Sequence, residues 1–292
     1  MGYPSISISS GHVDSNEGLP IRYDLYAPIG GGNNHALPVI IFVHGFKGFK
    51  DWGFWLDACE ELAYAGFGVL AMNFSLNGIG DNKYEFDRLD LFERQTFSSD
   101  LDDIGVVIRA LQTGEISDNH AQLDTDKIGI IGHSRGGHTA ITAGVEYESI
   151  QAVVTWASVA DYLGRWSDSM KKDWDSKGYT EIVNGRTGQV MKIGKVVYDD
   201  SVENADRVIA IRRVPELRVP SLFIHSREDE TVPYTDSEKL HINCGARDKE
   251  LRLVTKGGHT FGGGHPFEDQ EFPKPFQEVL TWTEGWFREY LK

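Results

Sequence analysis

The hexapeptide Gly132-His133-Ser134-Arg135-Gly136-Gly137 is the feature that most constrains the fold of this chain. It follows an apolar run, Lys127 to Gly132, that predicts a buried strand, and it opens a segment of small residues, Gly136 to Tyr147, that predicts a helix. In the pattern G-x-S-x-G, a serine sits on a sharp strand-to-helix turn, and the flanking glycines remove side chains that would clash there. The pattern therefore predicts Ser134 as a nucleophile. An incidental serine in an ordinary turn is the alternative.

Strands and helices alternate along most of the chain. Buried strands are also predicted at Pro38–His44, Phe67–Phe74, Ala152–Val159, Pro220–His225 and Leu251–Thr255, and helices at Trp52–Ala65, Phe92–Leu111, Ser237–Cys244 and Phe276–Leu291. This order predicts an α/β fold with a mostly parallel central sheet flanked by helices. Ser5–Tyr26 alternates weakly and predicts a hairpin or two edge strands, and residues 30–34 predict a loop.

The alternation stops between about Tyr162 and Arg213. We therefore predict one domain over residues 1–292 with a small cap insertion at about 162–213, which contains a hairpin near residues 182–190. An excursion at this point is expected to lie over the carboxyl ends of the strands, where open α/β sheets bind ligands. Three nearby tryptophans are candidate substrate-binding residues, although they could instead pack the insertion onto the core: Trp156, Trp166 and Trp174.

An acid and a base follow two later strands. Asp229 lies after the strand that ends at His225, and His259 lies after the strand that ends near Thr255. Together with Ser134 they form a candidate serine–histidine–aspartate triad. In such a triad the histidine takes the proton from the serine, and the aspartate orients the histidine. The alternatives are Glu228, Glu230 or Asp161 for the acid and His265 for the base.

The segment His44-Gly45-Phe46-Lys47-Gly48 follows the first buried strand. The backbone N–H groups of Phe46 and Arg135 are candidates for an oxyanion hole. We expect His44 to hold this loop by hydrogen bonding and His133 to pack against neighbouring residues. The acidic stretch Asp100–Asp103 predicts a solvated helix face.

The charge balance excludes several classes of partner. With 29 Lys+Arg against 44 Asp+Glu, the net charge is −15, which argues against nucleic acid and anionic membrane surfaces. No apolar run approaches the roughly 20 residues of a membrane span, and no signal peptide is visible, so a cytoplasmic location is expected. No nucleotide-binding or metal-binding motif is present, and neither a cofactor nor a metal is expected.

These motifs resemble the α/β-hydrolase superfamily, in which the chain order is Ser…Asp…His. The stretches H-S-x-x-D-x-x-V-P (225–233) and H-T-F (259–261) look most like the dienelactone hydrolase-like and cinnamoyl or feruloyl esterase-like group, and the resemblance covers about Ile21 to Leu291. Two departures are Ser134, where dienelactone hydrolases use cysteine, and Ser226, where the esterases often have glycine.

The resemblance implies a hydrolase that cleaves small carboxylic esters through an acyl-enzyme, with short-chain or aromatic esters as substrates. One alternative is a peptidase or amidase similar to the catalytic domain of prolyl oligopeptidases, although the chain has no room for the propeller that those enzymes carry. The other is a binding protein with a hydrolase fold and no activity.

Overall fold

The computed structural model describes residues 5–30 and 36–292. Most of the loop predicted at residues 30–34 lies outside the described residues, since positions 31–34 are not among them. Within the described ranges, no helix combines the length and the apolar character that crossing a bilayer requires.

The core of the molecule is an eight-stranded sheet with the order β1-β2-β4-β3-β5-β6-β9-β10. Pairing is parallel from β4 to β10, whereas β2 pairs antiparallel with both β1 and β4. The mostly parallel sheet and the amino-terminal hairpin are therefore confirmed. The strands of the molecule are β1 (Ile6–Asp14), β2 (Pro20–Pro28), β3 (Leu37–Val43), β4 (Gly68–Met72), β5 (Leu123–His133), β6 (Ile150–Trp156), β7 (Tyr179–Val183), β8 (Val190–Gly194), β9 (Ser221–Ser226) and β10 (Lys249–Val254).

Helices cover both faces of this sheet. They are α1 (Trp55–Tyr64), α2 (Leu89–Phe92), α3 (Phe97–Thr113), α4 (Arg135–Glu146), α5 (Asp168–Lys177), α6 (Lys195–Glu203), α7 (Ala205–Val208), α8 (Ala210–Arg213), α9 (Thr235–Asn243) and α10 (Lys274–Leu291). Short 3₁₀ turns lie at Leu163–Arg165, Val214–Glu216 and Gly258–Thr260.

Strand β3 shows why the sheet has two cores. All of its residues are buried, and successive side chains point to opposite faces. Val39, Ile41 and Val43 pack in a cluster with α3, α4 and α9, whereas Ile40 and Phe42 pack in a second cluster with α1 and α10. A strand buried on both faces needs the continuous apolar run that the sequence shows here.

Several predicted boundaries differ from the structure by a few residues, and two of these differences have a clear physical cause. The helix predicted from Phe92 begins at Phe97, because Thr96 is extended and its Oγ1 accepts the N–H of Ser99 at 3.0 Å, which caps the helix there. The strand predicted to reach Val159 ends at Trp156, since Ala157 has a positive φ of 50° and turns the chain away.

The segment between β6 and β9 leaves the sheet and holds α5 to α8 and the antiparallel pair β7–β8. The predicted hairpin is present, with residues 184–189 as its connection. It is anchored to the main body where Gln189 Nε2 donates to the carbonyl of Phe86 at 2.9 Å and the N–H of Gly194 donates to that of Glu93 at 2.8 Å.

Candidate active site

Ser134 occupies a strained turn between β5 and α4. Its backbone has φ 56° and ψ −114°, a region that non-glycine residues rarely adopt. A Cβ on Gly132 would lie 2.0 Å from the carbonyl oxygen of Gly136, and one on Gly136 would lie 2.4 Å from that of Val43. Both positions therefore require glycine for steric reasons, as the pattern predicts.

The structure brings Ser134, His259 and Asp229 into one chain of contacts. The Ser134 hydroxyl lies 2.9 Å from His259 Nε2, and His259 Nδ1 lies 2.7 Å from Asp229 Oδ2. Each residue follows the carboxyl end of a parallel strand, respectively β5, β10 and β9. The other candidates have different partners: His265 Nδ1 accepts the N–H of Gly53, and Asp161 Oδ1 accepts the N–H of Leu163.

Asp229 is held as a carboxylate by several donors. Burial alone would raise its pKa, but hydrogen bonds from His225 and His259 outweigh that effect and hold the pKa well below its usual range. The second oxygen, Oδ1, accepts the backbone N–H groups of Thr231 and Val232, each at 2.9 Å. A carboxylate fixed by so many donors can hold His259 in one orientation.

His133, which the sequence predicts as a packing residue, also forms a hydrogen bond. Burial lowers its pKa to about 3, so the ring is neutral, and its Nε2–H donates to the backbone carbonyl of His259 at 2.9 Å. The ring also packs 5.0 Å from the ring of Trp55. The residue before Ser134 therefore anchors the loop that carries His259.

His44 forms the hydrogen bonds expected for the loop after β3. Burial lowers its pKa to about 4, its Nδ1–H donates to the carbonyl of Gly45 at 3.0 Å, and Asn77 Nδ2 donates to its Nε2 at 3.3 Å. The loop itself lies against Ser134, because a Cβ on Gly45 would lie 3.0 Å from the Cβ of Ser134.

Phe46 and Arg135, the two candidates for an oxyanion hole, flank Ser134. Phe46 lies in the loop after β3, and Arg135 is the first residue of α4. Across residues 5–30 and 36–292, neither backbone N–H donates to another group. Both donors are free to bind an oxygen of a ligand.

The side chain of Arg135 points into the protein. Its Nε donates to Asp100 Oδ2 at 2.8 Å, its Nη2 donates to the carbonyl of Gln95 at 3.0 Å, and its guanidinium carbon lies 4.1 Å from the ring centre of Phe97. This buried ion pair joins the start of α4 to the start of α3.

The prediction that Asp100–Asp103 form a solvated helix face is wrong. Asp100 and Asp103 are both buried, and Asp103 Oδ2 accepts the N–H of Ser75 at 2.7 Å. Only Asp102 faces outward, where Arg207 Nη2 contacts it at 2.6 Å. These two side chains can be buried because a cation binds Asp100 and a backbone N–H donates to Asp103.

A cavity of about 280 Å³ opens onto Ser134 and His259. Its wall includes Trp52 and Trp55, which belong to the segment predicted as a helix, and the hairpin residues 184–186. The sequence analysis expected the insertion with this hairpin to lie over the carboxyl ends of the strands, but it missed Trp52 and Trp55, whose closeness in sequence to the loop at 44–48 is the signal that could have found them. The other lining residues are Gly45, Phe46, Lys47, Gly48, His133 and Thr260.

The three tryptophans predicted to bind substrate lie elsewhere. Trp156 has no exposed surface and donates its Nε1–H to Thr283 Oγ1 within the core. Trp174 donates to the carbonyl of Ile193 inside the insertion. Trp166 lines a separate small cavity beside Arg135. Trp156 packs in one apolar cluster of the core, and Trp166 and Trp174 pack in another.

Among the described residues, no group of His, Cys, Asp and Glu side chains is placed to hold a metal ion.

Comparison with known proteins gives three kinds of match. A model described as the prolyl oligopeptidase family matches residues 61–289. The chain is similar to “Putative esterase YitV” of Bacillus subtilis, with 23% identity over 262 residues that make up 89% of this chain and 92% of that protein.

Two solved structures share the fold. Est1E from Butyrivibrio proteoclasticus with ferulic acid bound has a TM-score of 0.69 at 20% identity and covers 96% of this chain and 98% of its own. The dienelactone hydrolase from Anabaena variabilis has a TM-score of 0.60 at 18% identity over 100% of both chains. These likenesses confirm the fold predicted from the sequence.

Proposed function

Since the chain belongs to the prolyl oligopeptidase family, within the α/β-hydrolase superfamily, we propose that it is a serine hydrolase that cleaves carboxylic esters. The observation that carries the proposal is the chain of contacts from Ser134 through His259 to Asp229. A hydroxyl 2.9 Å from an imidazole nitrogen, with a carboxylate on the opposite nitrogen, has the geometry of an activated nucleophile.

The reaction follows from these positions. Ser134 Oγ attacks the ester carbonyl while its proton passes to His259 Nε2, and the imidazolium is stabilised by Asp229. The carbon–oxygen bond to the alcohol then breaks, and His259 returns the proton to the departing oxygen. Water attacks the acyl-enzyme by the same route and releases the acid and free Ser134.

The negative oxygen of each tetrahedral intermediate needs donors. We assign this role to the backbone N–H groups of Phe46 and Arg135, which flank Ser134 and donate to no other group in the described part of the chain. The anchoring of Arg135 by Asp100 supports the assignment, because a fixed donor requires no reorganisation during the reaction.

The size and the aromatic lining of the cavity favour small or aromatic esters as substrates, including those of the feruloyl type. Its volume is about 280 Å³, and Phe46, Trp52 and Trp55 provide aromatic surface beside Ser134. We further propose that residues 162–213 act as a cap, because residues 184–186 form part of the cavity wall.

The family match favours a second candidate, a peptidase or amidase that uses the same three residues. Comparing p-nitrophenyl acyl esters with the matching p-nitroanilides distinguishes the two. Faster turnover of the esters supports the proposal, and turnover confined to the anilides would favour the amidase.

The decisive experiment is an intact-mass spectrum after incubation with a fluorophosphonate. We expect one adduct on the wild type and on Ser149→Ala, a surface control, and none on Ser134→Ala. The last variant should lose on the order of 10⁴-fold or more in kcat and still fold. The absence of an adduct on the wild type would refute an activated serine and favour a binding protein.

A further inference from the structure

Asp229 Oδ2 contacts a second imidazole besides that of His259. His225, at the carboxyl end of β9, places its Nε2 3.0 Å from this oxygen and 2.9 Å from the carbonyl of Val232. Its Nδ1 lies 2.8 Å from the hydroxyl of Ser237 on α9. His225 has no exposed surface, so these contacts exclude water.

The partners determine where the protons are. His225 Nε2 faces two acceptors and therefore carries the hydrogen, which it donates to Asp229 and the Val232 carbonyl. In the tautomer with the hydrogen on Nε2, Nδ1 accepts the hydrogen of the Ser237 hydroxyl. Ser237 thus fixes the tautomer that lets His225 donate to the carboxylate.

The hydrogen bonds meet at one atom. Ser237 donates to His225 and His225 donates to Asp229 from one side, while Ser134 donates to His259 and His259 donates to Asp229 from the other. The carboxylate oxygen that orients His259 is the atom to which His225 donates.

Resting on the proposed function, we infer that His225 is a positioning residue, held by Ser237, that fixes the carboxylate of Asp229 and moderates its attraction for the proton on His259. Without this donor, less of the negative charge on Oδ2 is compensated, so the oxygen binds the His259 imidazolium more strongly. The acid limb of the pH–rate profile then moves to higher pH.

The other titratable and charged groups around Asp229 and His259 are the same in the wild type and in the variants. His133 on β5 faces His259 and is neutral because burial lowers its pKa to about 3. On α9, Asp236 accepts the N–H of Ala160 and pairs with Arg165.

The experiment compares pH profiles of kcat for p-nitrophenyl butyrate. His225→Phe keeps a ring and loses the donor, and we expect roughly a 10- to 100-fold loss of kcat, the effect of one hydrogen bond to a charged group. The acid limb should rise by about one pH unit. His225→Gln retains a donor, so its kcat should fall less and its acid limb should shift less than in His225→Phe. His241→Gln, on the same helix as Ser237, should leave kcat and the acid limb unchanged.

Ser237→Ala provides a milder test if His225→Phe does not fold, and it should move the limb in the same direction. A limb that stays in place in every folded variant overturns the inference, even where kcat falls, because a loss of packing alone does not change a titration. Fluorophosphonate labelling of Ser134 in the wild type separates the two proposals. Without that adduct both fail, and with the adduct but an unmoved limb only the role of His225 fails.

Discussion

The guanidinium of Arg135 binds the carboxylate of Asp100 at 2.8 Å in the interior of the protein, where neither side chain is more than 3% exposed. Arg135 directly follows Ser134, so this ion pair fixes the first residue of α4 against α3. A buried ion pair thereby holds the backbone N–H of Arg135 in place beside Ser134.

Replacing Asp100 should be costly. Asp100→Ala leaves the Arg135 cation without its buried partner, and we expect the free energy of unfolding to fall by about 3–5 kcal/mol. Equilibrium unfolding in urea measures this loss. The control Asp206→Ala removes an ion pair of similar length with Arg212. Because Asp206 is 94% exposed, the urea midpoint of this variant should not differ measurably from that of the wild type. Similar small losses in both variants would show that the buried pair is not essential to the fold.

The turn around Ser134 predicts a steric effect at Gly136. A Cβ there would lie 2.4 Å and 2.5 Å from the carbonyl oxygens of Val43 and His44, which belong to backbone and cannot yield. Gly136→Ala should lose about 3 kcal/mol or more, or fail to fold. Gly285→Ala is the control, since a Cβ on this exposed position of α10 meets nothing within 4 Å and should stabilise the helix by up to about 1 kcal/mol. Thermal unfolding followed by circular dichroism distinguishes these outcomes.

Asp103 makes stability depend on pH. Its pKa is raised to about 7, and burial is the largest cause; hydrogen bonds from Ser75 lower the pKa, and the nearby side chains of Asp100 and Asp102 add a smaller increase. Between about pH 4 and pH 7 the folded protein holds a proton that the unfolded chain has released. The contribution of Asp103 to stability is therefore present at low pH and lost as the pH rises through this window.

The variant Asp103→Asn removes this titration. The free energy of unfolding of the variant minus that of the wild type should increase as the pH rises from 4 to 7, by up to about 1.4 kcal/mol per pH unit. Urea unfolding of both proteins at pH 4.5, 5.5 and 6.5 measures the difference, and the histidines common to both cancel. A difference that does not vary with pH would contradict the prediction.

The cavity has an unusual charge for so acidic a protein. The chain carries a net charge of −15, yet the charged side chains among the described lining residues are Lys47 and Arg186, and none of these residues is a carboxylate. We expect an ester with a negatively charged acyl chain, p-nitrophenyl hemiglutarate, to be a better substrate than the neutral p-nitrophenyl pentanoate. Arg186→Gln should lower kcat/KM for the anionic ester by roughly 10-fold and leave the neutral ester unchanged.

Lys192→Gln is the matched control, because Lys192 is on the same hairpin but its Nζ lies 3.9 Å from the ring centre of Tyr179. This variant should treat both esters as the wild type does, and added salt should weaken the preference in the wild type. An equal loss on both esters in Arg186→Gln would show that the residue shapes the cavity without selecting charge.

The sequence predicts most of the fold because its patterns are local. The apolar run of β3 needs burial on both faces, and the glycines around Ser134 leave one steric solution, so these elements follow from short stretches of chain. The burial of Asp100 and Asp103 depends on Arg135 and on the backbone of Ser75, which approach only in three dimensions. The same holds for Trp52 and Trp55, which line the cavity only because the loop after β3 brings α1 beside Ser134.

Part of the cavity wall and the three residues of the proposed triad come from different stretches of the chain. Ser134, Asp229 and His259 follow strands of the large sheet, whereas residues 184–186 belong to a hairpin that pairs with no strand of that sheet. After gene duplication, one copy could lengthen or exchange this hairpin without shifting the register of any sheet strand. Proteins that descend from such a copy can differ in the molecules that fit the cavity while Ser134, Asp229 and His259 keep their positions.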